Sequence, residues 1–301
     1  KSELSTLESI INQKNAPVFP FEITSEETSN LTDEEYLESV EFAKKHCFRG
    51  DVFQLVLSRR FEQKFQGDEF NVYRALRNIN PSPYLFFFDY GDYKLMGSSP
   101  ESQLIIKNGK AIIHPIAGTF KRTGNIERDL ESAEELKKDP KENAEHTMLV
   151  DLARNDLSIH GKNTTVSKLK EIHFFSHVIH MVSEIVTDVK EDQNPYEMIA
   201  TTFPQGTLSG APKYRAMQLI DEHEKTSRSY YAGCIGFVGF DGSCNQAIMI
   251  RTFLSKNNTL FYQAGAGIVA KSIAENELQE VNNKLGALKK AISKAERIIN
   301  G

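Results

Sequence analysis

Cysteine is scarce in this sequence: three residues, Cys47, Cys234 and Cys244, among 301. The number is odd and the spacings match no metal-ligand motif. A disulfide framework is therefore not expected, and reduced thiols in the cytoplasm fit better. No apolar stretch reaches the roughly 20 residues that a membrane helix needs, and no signal-peptide pattern opens the chain. Basic blocks and stripes are missing too. With 36 Lys and Arg against 41 Asp and Glu, a formal charge of -5 and a pI near 6.0, the surface is not built to neutralise a nucleic-acid backbone. Internal repeats and low-complexity tracts are also absent. The chain begins at Lys1 and not at methionine, as a piece of a longer protein does.

What is present is a globular composition, 40% hydrophobic and 26% charged, with length enough for one large domain or two smaller ones. Residues 1–30 read as a polar, irregular entry segment holding Pro17 and Pro20, and residues 31–301 as the folded domain. Thr32 and Glu35 have capping-box spacing ahead of Tyr36, Val40, Ala43 and Cys47, which predicts a helix ended by Gly50. VFQLVLSRRFEQKF then alternates as a strand does. YLFFFDY, KLMG, QLIIK and KAIIHPIAG follow, each bounded by turn residues. Helices are expected at 126–138, 140–157, 195–202, 211–223 and 273–299. Strands are expected at HVIHMVSEIVTDV, CIGFVGF, QAIMIRTFL and LFYQAGAGIV. Strands outnumber crossover helices and arrive in hairpin groups, so the fold class is α+β with large antiparallel sheets.

KENAEHTMLVDLARND, residues 141–156, poses a chemical question. Asp139, Pro140 and Glu142 suit a helix start, with Asp139 and Glu142 as a capping-box-like pair. Glu145 lies on the face shared with Leu149 and Leu152, and a carboxylate turned inward must be paired, protonated or bound to a cation. The closing helix repeats the pattern. Glu277 and Glu280 lie one turn apart beside the stripe Leu278, Val281, Leu285, Leu288 and Ile292, and Lys284 follows Glu280 at the spacing of an ordinary surface ion pair. Two such helices can converge on one hard divalent cation, or each can simply be a solvated face.

Further segments make the pattern specific. PIAGTFKR (115–122), FPQGTLSGAPKYRAM (203–217), YYAGCIGF (230–237), QAIMIRT (246–252), QAGAGIV (263–269) and ENELQEVNNK (275–284), together with 141–156, resemble the chorismate-utilising enzymes. The nearest likeness is to the component I branch of anthranilate synthases, from about residue 30 to the end. The resemblance implies two large, orthogonally packed antiparallel sheets flanked by helices, with the active site between them.

It also implies site residues. Glu145 and Glu280 match magnesium ligands, with Glu142 and Glu277 in an outer shell. Tyr231 and Arg251 match residues that hold the enolpyruvyl carboxylate. Gly265 and Gly267 match positions where backbone N–H groups approach a carboxylate, and Gly118, Thr119 and Thr207 match substrate contacts, Thr207 in a loop leading into a helix. Lys284 matches a lysine near the substrate carboxylate and metal. His180, which between valines reads as an ordinary core residue, matches a histidine associated with proton transfer as pyruvate leaves.

Two positions discriminate within the family. Water-adding relatives resemble one another in carrying a lysine where this chain has Gln54, and aminodeoxychorismate-forming relatives carry a lysine where it has Ala117. The implied activity is magnesium-dependent amination of chorismate by ammonia with loss of pyruvate, giving anthranilate, the first committed step toward tryptophan. The alternatives are an aminodeoxychorismate-forming enzyme and a non-catalytic chorismate-binding or regulatory domain. The implied partner is a glutamine amidotransferase subunit that supplies ammonia, in a hetero-oligomer; membrane and nucleic acid are not implied. Gln205 and Cys234 depart from the family pattern without removing a ligand. Pro83, Tyr84 and Leu85, in NPSPYLFFF, match half of a tryptophan feedback site whose other half lies in an N-terminal region of the full-length enzymes.

Overall fold

The structure, a computed structural model, describes residues 2–12, 19–175, 178–190 and 192–298. In chain order its elements begin with α1 (Ser2–Asn12), β1 (Phe21–Ile23), β2 (Thr28–Ser29), α2 (Asp33–Arg49), β3 (Gln54–Gly67), α3 (Phe70–Ile79), β4 (Tyr84–Asp89) and β5 (Tyr93–Ser99). There follow β6 (Ser102–Lys107), β7 (Lys110–Ile113), β8 (Ile116–Lys121), α4 (Ile126–Lys138), α5 (Pro140–Ser158), β9 (Lys162–Phe174), β10 (Val178–Asp188) and α6 (Pro195–Thr202). The last are α7 (Gly206–Ser209), β11 (Gly210–Ala211), α8 (Lys213–His223), β12 (Cys234–Val238), β13 (Cys244–Ile248), β14 (Thr252–Lys256), β15 (Thr259–Ile268) and α9 (Ala274–Ala295).

These strands make two antiparallel sheets, as the α+β reading requires. One runs β1-β3-β15-β14-β5-β4, with β2 and β11 added along β3; the other runs β12-β13-β6-β7-β10-β8, with β9 added on β10. Helices α2, α3, α8 and α9 cover the first sheet through a core that includes Tyr36, Leu57, Leu76, Leu219, Phe253 and Leu285. Helices α5 and α6 cover the second through Leu104, Ile113, Val150, Leu157, Ile185 and Met198. Burying one face of each sheet under helices supplies most of the driving force for this arrangement. Among the described residues, no helix is long and apolar enough to cross a membrane.

Local chemistry explains the best-predicted elements. The Thr32 hydroxyl accepts from Glu35 N–H at 3.2 Å and the Glu35 carboxylate accepts from Thr32 N–H at 2.8 Å, while Gly50 ends α2 at φ 81°. Asp139 caps α5 by accepting from Lys141 and Glu142 N–H groups. The reciprocal half of the expected capping box is not formed, because the Glu142 carboxylate turns toward Gly118.

Other expectations need correction. Residues 2–12 form an exposed helix, and β1 and β2 pair with β3, so the chain before residue 31 is not irregular throughout. Pro17 and His177 lie outside the described residues. Helix α3 and strand β9 were not anticipated. The apolar spacing Val72, Ala75, Leu76 marks the first, whereas β9 is an exposed edge strand rich in Lys and Thr, without a buried face to announce it. Helix α8 starts at Lys213 because residues 210–211 pair with Gln54 and Leu55.

QAIMIRTFL is not one strand. It splits into β13 in the second sheet and β14 in the first, crossing between them at Met249, Ile250 and Arg251, with Arg251 at φ 49°. The β5–β6 connection crosses in the same way at Pro100 and Glu101. The two crossovers are bonded together: Ile248 N–H donates to the Glu101 carbonyl at 3.0 Å and Ser98 N–H to the Arg251 carbonyl at 3.1 Å. Glu101 and Arg251 are thereby fixed where the chain passes from one sheet to the other.

Candidate active site

A cavity of about 180 Å³ opens at these crossovers and is lined by side chains from both sheets, α5, α7 and α9. Of the residues singled out by sequence, Gln54, Ala117, Gly118, Glu145, His180, Thr207, Tyr231, Arg251, Gly265, Gly267, Glu280 and Lys284 line it. A second cavity of similar size shares His180, Arg251 and Lys284 and reaches Asn80 and Pro83. Together they suit a single-ring ligand better than a large one. Of the feedback-site positions, Pro83 therefore borders the site, while Tyr84 opens β4 and Leu85 points outward at 38% exposure.

The inward carboxylate of α5 has a partner: Gln54 Nε2 donates to Glu145 Oε1 at 2.8 Å. Burial pushes the Glu145 carboxyl above its ordinary range; the Gln54 hydrogen bond opposes this, and the nearby Glu280 charge adds to it. Glu142 and Glu277 are raised in the same direction, each first by burial, with Glu145 acting on Glu142 and Glu280 on Glu277. Neither lines the cavity: the Glu142 carboxylate lies beside Gly118, and Glu277 is buried. Among the described residues no three His, Cys, Asp or Glu side chains form a ready-made metal cage. What exists is a partial oxygen set, Glu145 and Glu280 across one cavity, with mutual repulsion that a cation relieves. That set fits an ion such as magnesium, which leaves its remaining positions to water or substrate.

Glu280 also makes the ion pair foreseen from its spacing. Lys284 Nζ lies 2.7 Å from Glu280 Oε1, with side chains 45% and 47% exposed, and donates to the Gly265 carbonyl at 2.8 Å. Desolvation works against the Lys284 charge, but Glu280, Tyr231 and Glu145 outweigh it and raise its pKa. Arg251 adds a second cation. Among the described residues its guanidinium makes one long hydrogen bond, 3.5 Å to Asn80 Oδ1, and burial pulls its pKa down. A largely desolvated guanidinium so weakly paired is suited to a carboxylate.

The glycines make room. A Cβ on Gly267 would lie 2.4 Å from Gln54 Nε2, and one on Gly265 would lie 2.7 Å from the Leu57 carbonyl and 3.1 Å from the Tyr231 hydroxyl. Gly118 sits at φ 68°, where a Cβ would meet Leu136 Cδ1 at 2.6 Å. Its carbonyl accepts from His180 Nδ1 at 3.0 Å, which assigns the proton to that nitrogen and makes Nε2 the basic one. Burial lowers the His180 pKa, against the Gly118 hydrogen bond and with help from Arg251, so the imidazole is neutral near pH 7. Thr119 pairs opposite His180 in the ladder, and its side chain lies outside the described residues.

Thr207 corrects one expectation and exposes an omission. It lies inside the single turn α7 and not in a loop, and its hydroxyl donates to Glu101 Oε1 at 3.1 Å. Glu101 lines the cavity and was not anticipated. Burial pushes its carboxyl up to about 7, against the Thr207 hydrogen bond and the charges of Lys284 and Arg251. A carboxyl half-protonated near neutrality can deliver a proton to a leaving group. In the sequence it sits in SSPESQL, where nothing distinguishes it from a surface acid.

The family model described as chorismate binding enzyme matches residues 1–290. Anthranilate synthase component 1 from Geobacillus stearothermophilus is 48% identical over 276 residues, covering 91% of this chain and 54% of that protein. Its namesake from Bacillus subtilis is 44% identical, covering 96% and 58%. The chain thus spans little more than half the length of these curated relatives. The crystal structure of anthranilate synthase component I from Streptococcus pneumoniae superposes with a TM-score of 0.85 at 38% identity, over 95% of this chain and 65% of that one. The menaquinone-specific isochorismate synthase of Escherichia coli shares the fold, with a TM-score of 0.85 at 23% identity over 97% and 68%.

Proposed function

This chain belongs to the chorismate binding enzyme family, and from that membership we propose that it aminates chorismate with ammonia and releases pyruvate to give anthranilate. The observation that carries the choice of nucleophile is the Gln54 amide. Its Nε2 is committed to Glu145, and its Oε1 is buried without a partner among the described residues. An amide cannot deprotonate water, but its oxygen can accept an N–H from ammonia, which is nucleophilic without activation.

In this reading Arg251 and Tyr231 hold the enolpyruvyl carboxylate, and Lys284 faces the ring carboxylate. Ammonia forms a C–N bond at the carbon next to the ring carboxylate, and the ring hydroxyl leaves as water with a proton from Glu101, held in line by Thr207. His180 then takes the proton from the aminated carbon through Nε2 while the ring C–O bond to the enolpyruvyl group breaks, and the departing enolate takes up one proton to become pyruvate as the ring becomes aromatic. Glu145 and Glu280 would hold magnesium, with Glu142 and Glu277 behind them; when bound, it neutralises the ring carboxylate and draws electrons from the ring. Ala117 puts no lysine nucleophile into the cavity and leaves room for ammonia to add at the carbon next to the ring carboxylate, which favours anthranilate over aminodeoxychorismate. Several buried, chemically poised groups around one cavity favour catalysis over a purely binding role.

The proposal extends to a partner. The name component 1 borne by the relatives supports a second component, read here as an amidotransferase subunit that supplies ammonia in a cytoplasmic hetero-oligomer. Tryptophan feedback through the Pro83–Leu85 segment needs the region supplied by a full-length chain. The test is nucleophile supply: the purified chain should consume chorismate with ammonium and magnesium and leave it untouched with glutamine alone. Glutamine-driven turnover by the single chain contradicts this division of labour.

A further inference from the structure

Strand β3 has a gap along its outer edge. β11 pairs with residues 54 and 55 and β2 with residues 61 and 62, so among the described residues the backbone between them meets no strand on that side. Asn30 closes it at Arg60, exchanging backbone and side-chain hydrogen bonds of 3.0 and 2.8 Å, and two further side chains close it at Val56 and Ser58. Ser58 N–H donates to Glu224 Oε1 at 2.9 Å, and Arg228 Nη2 donates to the Val56 carbonyl at 2.7 Å. They also hold each other, Nε to Oε2 at 2.8 Å and Nη2 to Oε1 at 2.8 Å, with side chains 16% and 10% exposed. A fork of this kind fixes direction as well as charge.

The same pair reaches three parts of the cavity wall. Arg228 Nη1 donates to the Leu208 carbonyl at 2.7 Å, one residue beyond Thr207. Arg228 opens the turn that carries Tyr231: Tyr231 N–H donates to the Arg228 carbonyl at 3.0 Å, Ser229 lies at φ 53°, and the guanidinium carbon is 5.8 Å from the Tyr231 ring centroid. Finally, the Ser58 hydroxyl gives its proton to Glu224 Oε1 at 2.8 Å, so its oxygen accepts from Gln263 Nε2 at 2.8 Å. That chain of bonds fixes the Gln263 amide, whose Oε1 is buried without a partner among the described residues and whose side chain lines the cavity.

We propose that the Glu224–Arg228 pair is a positioning device: it closes the gap in β3 and, through Tyr231, the Thr207 turn and Gln263, sets the affinity of the site for chorismate without touching it. This rests on the functional reading above. A buried ion pair that served only the fold would set stability and leave ligand affinity alone.

Equilibrium dialysis of chorismate against the whole chain with magnesium, alongside thermal unfolding, separates the two. Lysine keeps the charge of Arg228 but cannot fork to Glu224, Val56 and Leu208 together. Arg228→Lys should therefore weaken chorismate binding at least about tenfold, consistent with the loss of one or two charge-assisted hydrogen bonds. In a Tyr231→Phe background the same change should add less, because part of its effect runs through Tyr231. Ser58→Ala leaves the backbone plug in place and frees only Gln263, and should weaken binding about threefold or more; it decides the matter if Arg228→Lys does not fold. Unchanged affinity in a folded Arg228→Lys, or in Ser58→Ala when the lysine variant is unfolded, overturns the inference alone. Failure of the unsubstituted chain to bind chorismate overturns the functional reading and this inference with it.

Discussion

The Thr207 hydroxyl donates to the Glu101 carboxylate at 3.1 Å across 106 positions of sequence. One residue comes from a single helical turn and the other from a crossover between sheets, so their meeting is a product of the whole fold. It gives the site a carboxyl whose pKa burial has pushed up to about 7.

Glu101→Gln should therefore separate catalysis from stability. The fold favours the protonated acid, so its penalty for ionised Glu101 is absent below the ordinary value of 4.5, grows as pH rises, and is complete above about 7. The glutamine variant should gain up to about 3 kcal/mol at pH 8 and nothing near pH 4, while turnover falls about 100- to 10,000-fold. In the unsubstituted chain turnover at a fixed concentration of free ammonia should decline as pH passes above about 7. Denaturant melts at the two pH values and a pH–rate profile check this. A variant no more stable at pH 8 and still active would show Glu101 to be an ordinary buried acid.

Glu145→Gln and Glu280→Gln should each abolish magnesium-dependent turnover while the circular dichroism spectrum is unchanged. An amide oxygen is a poor substitute for a carboxylate toward magnesium. Near-normal activity at low magnesium in either variant would refute the metal assignment.

His180→Met should divide the two half-reactions. The variant keeps a side chain of core character but loses the base, so amination should continue while aromatisation stalls by about 100-fold or more. Chromatography should then reveal an aminated, pyruvyl-bearing intermediate with little anthranilate. A folded variant forming anthranilate at the unsubstituted rate returns His180 to the core.

Much of this site was legible before the fold was known, and the exceptions have physical causes. Glu145, Glu280 and Lys284 could be placed because helical spacing fixes which side chains share a face, and Thr32 with Glu35 because capping is a local event. Arg251 was found but set in the wrong backbone, since a strand that changes sheets reads like one continuous strand until its partners are known. Glu101 was missed because its burial depends on segments about residues 205–210 and 251, far along the chain. Helix α1 is hard to read for the opposite reason: Leu4, Leu7, Ile10 and Ile11 have helical spacing but remain exposed, in a segment that is otherwise polar.

In the proposed reaction ammonia, directed past Gln54, ends on the ring carbon beside the carboxylate. The most direct measurement is identification by mass and fluorescence of the products formed from chorismate, magnesium and ammonium, with pyruvate counted in parallel. Anthranilate and pyruvate should appear in equal amounts. Isochorismate, or 4-amino-4-deoxychorismate without pyruvate, would contradict the account.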